Sequence, residues 1–337
     1  MQFIPLTQAV EHQDWQALLA GAVRSGQQLL GLLQLEDSLL AEQLGGDADF
    51  PVLVPMPFVA LMQPGNPDDP LLRQVLAVQD EDMQVPGYVT DPLAEKDANV
   101  RPGVVHKYHG RVLLIAAGGC AVNCRYCFRR HFPYADNRVG RKQWQQALDY
   151  VAGEHSISEV ILSGGDPLLL DDAALGRLCE QIAGINHVRR LRIHTRVPVV
   201  IPQRLTTALQ DMLAGSRLQV TLVLHINHPN EISPQLARGL RALRRQGITL
   251  LNQSVLLAGV NDDAGVLCEL SEALFTAGLL PYYLHQLDRV QGAHHFAVPY
   301  DRMAALYRQM KEQLPGYLLP RLVCEEPGQP HKTQLQV

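Results

Sequence analysis

The sequence predicts an α/β protein built on a partial (β/α)6 TIM-like barrel, preceded by a helical and proline-rich extension. Three observations carry this expectation. From Arg111 onward, apolar runs of strand length alternate with segments of helical periodicity, the pattern of right-handed βαβ units around a parallel sheet. The alternation supplies six units, too few for a closed eight-stranded barrel. Polar residues collect just after the apolar runs, where a βα architecture places its chemistry.

The elements follow in order. Residues 1 to about 46 read as helices, because Trp15, Leu18, Leu19 and Ala22 recur at helical spacing and Leu29, Leu32 and Leu33 continue it. Gly45 and Gly46 stop the pattern. Residues 47 to 100 carry Pro51, Pro55, Pro57, Pro64, Pro67, Pro70, Pro86 and Pro92. Each proline removes a donor and restricts its neighbour, so this stretch is expected to wrap a domain in irregular backbone, with a short helix at Leu71–Ala77. Strands are expected at Val112–Ala117, Glu159–Ser163, Arg190–His194, Gln219–Ile226, Thr249–Leu257 and Pro281–Gln286. Helices are expected at Lys142–Glu154, Ala173–Ala183, Gln203–Ala214, Pro234–Gln246, Asp263–Ala277 and Asp301–Gln313. Ser233 before Pro234, and Asn261 before Asp262 and Asp263, are the expected caps. The chain divides into an extension (1–100), a barrel core (101–290) and a C-terminal helix and tail (291–337).

Composition narrows the function. With 337 residues, 47% of them hydrophobic, the chain can bury a large core. A net charge of -5 argues against a nucleic-acid partner, which wants a basic face. Six cysteines, three of them scattered among apolar residues as Cys179, Cys268 and Cys324, are the usage of a reducing compartment. The N-terminal stretch lacks the basic-then-apolar signature of a signal peptide. Runs such as Leu218 to Ile226 are too short to span a bilayer. A cytoplasmic protein with no membrane partner is expected.

The densest chemistry lies in GGCAVNCRYCFRRHF, Gly118 to Phe132, which holds Cys120, Cys124 and Cys127 as C-x3-C-x2-C. Thiolates bind soft metals and iron–sulfur clusters. A structural zinc site wants four closed ligands in two pairs, which this is not. A four-iron cluster held by three cysteines leaves one iron open. Reduced thiols beside a core strand, and zinc with a distant fourth ligand, are the other readings. Ser163, Gly164, Gly165 and Asp166 end the second strand, where a glycine pair lets backbone approach closely. His225, Asn227 and His228 close the fourth strand; core histidines or a second metal would also account for the pair. Gln253 lies on the fifth strand and Asp288 follows the aromatic sixth, PYYLHQLD. Arg129 and Arg130 follow the third cysteine, and arginine forks suit carboxylates and phosphates.

C-x3-C-x2-C followed by an aromatic and basic run resembles the cluster motif of radical S-adenosylmethionine enzymes. The stretch from His106 to Phe132 is similar to lysine 2,3-aminomutases, and within that family to the branch associated with elongation factor P. The likeness covers about residues 91 to 332. It implies a [4Fe-4S] cluster on Cys120, Cys124 and Cys127, and S-adenosyl-L-methionine at Ser163, Gly164, Gly165, Asp166, His225 and Gln253. It implies pyridoxal 5'-phosphate approached by Lys107, Tyr108 and Arg111 and bound covalently by Lys332. It gives Arg129 the carboxylate of substrate lysine and Asp288, with Glu325, its distal ammonium. The implied reaction is 2,3-amino migration from L-lysine to β-lysine, destined for elongation factor P. The implied partners are a one-electron reductant such as flavodoxin or ferredoxin and the ligase of that modification. A lysine at position 332 that serves the cofactor requires the tail to fold back over the barrel mouth. An aminomutase acting on another amino acid, such as glutamate, and a non-catalytic iron–sulfur or zinc protein are the alternatives.

Overall fold

A computed structural model of the chain describes residues 13–46, 49–133 and 141–337. The expectations for residues 1–12 lie outside the described residues. Among the described residues, ten strands form one sheet in strict sequence order. They are β1 (Asn99–Arg101), β2 (Val104–Tyr108), β3 (Arg111–Ala117), β4 (Glu159–Gly164), β5 (Arg190–Thr195), β6 (Gln219–His225), β7 (Thr249–Val255), β8 (Leu280–His285), β9 (Arg321–Cys324) and β10 (Thr333–Gln334). Every pairing from β3 to β9 is parallel. The pairs β1–β2, β2–β3 and β9–β10 are antiparallel.

The six expected strands are β3 to β8, each within two residues of its expected ends. The tail adds β9 as a further parallel strand, and β10 turns back along it. Helices α1 (Trp15–Ala20) and α2 (Gly26–Leu32) lie in the extension. Between the strands run α3 (Arg141–Gly153), α4 (Asp172–Ala183), α5 (Thr207–Ala214), α6 (Pro234–Arg245) and α7 (Ala264–Ala277), and α8 (Tyr300–Gln313) precedes β9. The third of the expected helices starts later than its apolar pattern allowed, because Thr206 caps α5 and Pro202–Arg204 forms a separate 3-10 turn. Ser233 caps α6 by accepting from Leu236 N, as expected. Asn261 does not cap α7. Asp263 does, accepting from Val266 N, while Asn261 is buried and bridges Asn227 O and Val255 O.

Successive side chains along a strand point to opposite faces. On β4 to β6, Val160, Leu162, Leu191, Ile193, Val220, Leu222 and Leu224 pack outward in a core shared with the helices. Their neighbours Ile161, Ser163, Arg192, His194 and His225 point the other way, into a cavity of about 550 Å³. Each leucine fully buried outside contributes about 1.5–3 kcal/mol. That outer layer carries the stability that lets the inner face be polar.

The extension grips the cysteine loop rather than the sheet alone. Arg125, fully buried, donates to Glu81 through Nε (2.8 Å) and Nη2 (2.5 Å), and to the carbonyls of Phe50 (2.6 Å) and Gly46 (2.8 Å). Arg130 Nη2 reaches the same Glu81 carboxylate at 2.7 Å. Removing one member of a buried charged set strands the others. Glu81→Ala is therefore expected to lower the free energy of unfolding by about 3–5 kcal/mol, read by denaturant titration. A change under about 1 kcal/mol would show that the clasp is not what holds the extension down.

Candidate active site

The three cysteines sit in the loop that leaves β3, and all three border the cavity. Burial pushes the Cys120 thiol well up, and the neighbouring Cys127 adds to it. Burial and Cys124 push Cys127 up to about 11. Three thiolates in this space require compensating positive charge. Among the described residues, no three His, Cys, Asp or Glu converge tightly enough to hold one metal ion. A single zinc needs its sulfurs about 2.3 Å from one point, whereas a cluster offers a separate iron to each thiolate and wants them spread around a wider space. Three cysteines around one cavity fit the cluster.

Arg196, at the end of β5, donates through Nη1 to Cys124 Sγ (2.7 Å) and to the Tyr126 hydroxyl (2.7 Å), and through Nη2 to Glu231 (2.9 Å) and Gln74 (2.7 Å). Its charge is locked by partners from three segments. Sequence reasoning left Arg196 without a role; its position beside a strand end was the available signal. The same holds for His194 and His285, which face the cavity on β5 and β8 with Nε2 buried and lacking a hydrogen-bond partner. Such orphaned nitrogens fit a ligand that brings polar atoms into the cavity.

The Ser163–Asp166 motif at the end of β4 both packs against the cysteine loop and ties neighbouring loops together. Gly165 packs so closely on the cysteine loop that a Cβ there would lie 1.9 Å from Gly119 O. Asp166 is engaged by the protein itself, accepting from Thr195 Oγ1 (2.6 Å), Leu168 N (3.0 Å), Arg196 N (2.7 Å) and Val197 N (3.1 Å). It ties the loops after β4 and β5 together. His225 stacks on Tyr126, and its Nε2 lies 3.0 Å from that hydroxyl. Burial, then the charge of Arg196, drives its pKa down to about 3, so it is a neutral ring at the cavity wall. His228 Nδ1 instead accepts from Asn230 N, so the two histidines do not share a ligand. Gln253 Nε2 lies 3.4 Å from His194 Nδ1.

The other end of the cavity is a chain of alternating charge. Arg129 forms a bidentate pair with Glu95, through Nε (2.6 Å) and Nη2 (2.8 Å). Lys107 stands 3.6 Å from Glu95 and 3.2 Å from Glu325. Glu325 in turn pairs with Lys332. β10 begins at the residue after Lys332, which lines the cavity, so the tail folds back as the resemblance required. Burial works to raise Glu325, but Lys332 and Lys107 hold it down to about 2. Arg111 lies over the Tyr108 ring at 4.6 Å, and both border the cavity. A lysine, several further cations and the Tyr282–Tyr283 pair, tilted at 32° with ring centroids 3.8 Å apart, fit an anionic aromatic cofactor. Glu95 was not singled out from the sequence, because it opens a helix of only four residues, too short for periodicity to mark a face.

This is the cavity of a cluster-bearing barrel, and the Radical SAM superfamily model matches residues 114–269. The chain is 51% identical to L-lysine 2,3-aminomutase of Escherichia coli, over 96% of this chain and 95% of that one. It is 48% identical to L-lysine 2,3-aminomutase of Haemophilus influenzae, over 99% of each. The chain belongs to the L-lysine 2,3-aminomutase family, and is an enzyme of the isomerase class. Among solved structures it is similar to that of Streptococcus suis SuiB bound to S-adenosylmethionine, with a TM-score of 0.49 and 13% identity, over 68% of this chain and 52% of that one. No described helix is long and apolar enough to cross a membrane.

Asp288 gives the site a pH signature. Burial, then the charge of Glu325, raises it from 3.8 to about 7, with Lys332 opposing. A carboxyl raised on folding stabilises the folded state fully below its unfolded pKa, and that contribution is lost as pH rises through the folded one. In protein without bound amino acid, Asp288 is expected to titrate near pH 7. Asp288→Asn should remove the fall in stability between about pH 4 and pH 7, read from melting curves across that range. An unaltered pH profile in the variant would assign the fall to another group.

Proposed function

We propose that the protein converts L-lysine to β-lysine by 2,3-amino migration, and that its product serves the modification of elongation factor P. One observation carries the reading of the site: Lys332, near the end of the chain, borders the same cavity as Cys120, Cys124 and Cys127. When bound, a [4Fe-4S] cluster with S-adenosyl-L-methionine supplies one-electron, hydrogen-abstracting chemistry, and pyridoxal 5'-phosphate supplies the conjugation that carries an amino group between adjacent carbons. Cys120, Cys124 and Cys127 would hold the cluster. Arg196 would hold Cys124 in place by its charge-assisted bond to sulfur. Ser163, Gly164, Gly165, His225 and Gln253 would line the S-adenosyl-L-methionine end, with Asp166 shaping the loops around it. Lys107, Tyr108, Arg111 and Lys332 would receive the pyridoxal phosphate.

The substrate's two ends then find opposite charges. Asp288 and Glu325 would take the distal ammonium, which a buried site accepts only with a paired anion. Arg129 would take the α-carboxylate as a planar fork. A γ-carboxylate in place of the ammonium would meet two carboxyl groups, which gain from a cation and not from a further anion, so lysine is favoured over glutamate. The walls exclude water from reactive species. An external one-electron donor such as flavodoxin or ferredoxin would reduce the cluster.

Anaerobic protein reconstituted with iron, sulfide and pyridoxal phosphate, then given dithionite, S-adenosyl-L-methionine and L-lysine, is expected to yield β-lysine by chromatography. Absence of β-lysine from iron-loaded protein overturns the reading. Lys332→Ala is expected to lose the borohydride-reducible pyridoxal label while retaining iron, and a label retained in that variant would move the attachment elsewhere.

A further inference from the structure

The Arg129 fork is already filled by a carboxylate of the protein's own. Glu95 lies at the start of a short helix, Glu95–Ala98, just before β1. Its backbone N–H donates to Asp91 (3.0 Å), which fixes where the side chain starts. Both carboxylate oxygens lie on the Nε–Nη2 edge of Arg129, in the geometry that a substrate carboxylate would adopt. Arg129 Nη1 meanwhile donates to Ser163 Oγ at 3.0 Å. Both residues of the pair are buried. A buried guanidinium without an anion is costly, by several kcal/mol, so a cavity awaiting substrate needs an anion at this position. Glu95 also has somewhere to go: Lys107 Nζ stands 3.6 Å from its Oε1, already within ion-pair range. Rotation toward Lys107 would free the fork without leaving the Glu95 charge unpaired.

We propose that Glu95 is a built-in stand-in for the substrate carboxylate. It occupies Arg129 until a ligand arrives with a carboxylate of its own, then transfers to Lys107. This rests on the reading of Arg129 given above. Its consequence is selectivity at the α-carbon end. A ligand that carries a carboxylate competes with Glu95 for the fork, whereas a diamine leaves Glu95 where it is. The ground-state pairing supports the exchange: burial works to raise Glu95, but Arg129 and Lys107 hold it below the usual carboxylate range.

The experiment is calorimetric titration of cluster- and pyridoxal-loaded protein, without reductant, with L-lysine and with 1,5-diaminopentane, which is lysine without its carboxylate. Glu95→Gln removes the competing charge, so lysine is expected to bind about tenfold more tightly, or about 1.4 kcal/mol, while the diamine binds as it does to wild type. Glu95→Asp keeps the charge but shortens its reach, and is expected to tighten lysine by a smaller factor. It decides the matter should the Gln variant fail to fold or load. Unchanged or weaker lysine binding in a loaded variant overturns the exchange, as does equal tightening of both ligands. Wild-type protein that loads its cofactors but does not bind lysine would instead overturn the reading of the substrate, and the exchange with it.

Discussion

Four arginines surround the cysteine loop, and each is held by a buried carboxylate from another part of the chain. Arg125 and Arg130 share Glu81, Arg129 takes Glu95, and Arg196 takes Glu231. Buried ion pairs add little net stability over apolar residues of equal volume, yet breaking one is expensive. Their effect here is on arrangement. Each guanidinium is planar and forked, so a paired one cannot drift. The loop is thus fixed at four points by rigid cations, in a space where three sulfurs converge on one cavity. The same cations supply the positive surroundings that thiolates need when they are taken out of water.

This arrangement accounts for the extension. Its prolines prevent it from adding to the sheet, and its apolar residues, such as Phe58, Leu71 and Leu72, join the common core. Two of the three carboxylates, Glu81 and Glu95, come from it. The third comes from the turn after β6, where Glu231 also accepts from the backbone of Asn227 and His228. Cofactor loop, extension and sheet are therefore one charge-matched unit. Damage to the extension should be felt at the cysteines, even though no residue of it need touch a cofactor.

The sheet was legible because parallel strands here obey a period of two with opposite chemistry on the two faces. Outward leucines, isoleucines and valines made apolar runs, and inward serine, histidine and glutamine emerged at their ends. β1, β2, β9 and β10 escaped notice for the converse reason. They are short elements at or next to the sheet's edges, and β9 and β10 hold only four and two residues, too few for any period to register. The misplaced cap at Asn261 has a similar origin: an asparagine before two aspartates is ambiguous until burial decides that it serves the β6 and β7 loops instead. Cys120, Cys124 and Cys127 were legible from spacing alone. Lys332 was legible only by resemblance, since a tail lysine is ordinarily solvated, and its place depends on a two-residue pairing of β10 with β9 that local sequence does not specify.

Glu95 marks the limit of sequence reasoning, because its meaning lies wholly in what it meets. The run Arg129, Glu95, Lys107, Glu325, Lys332 alternates in sign at every step, though its last two members lie about two hundred residues from the first three in the chain. In such a row each inner charge has two neighbours, so Glu95, Lys107 or Glu325 can give up one partner without being stranded in low dielectric. A substrate that is itself a cation at one end and an anion at the other can enter the row by replacing contacts rather than by breaking them.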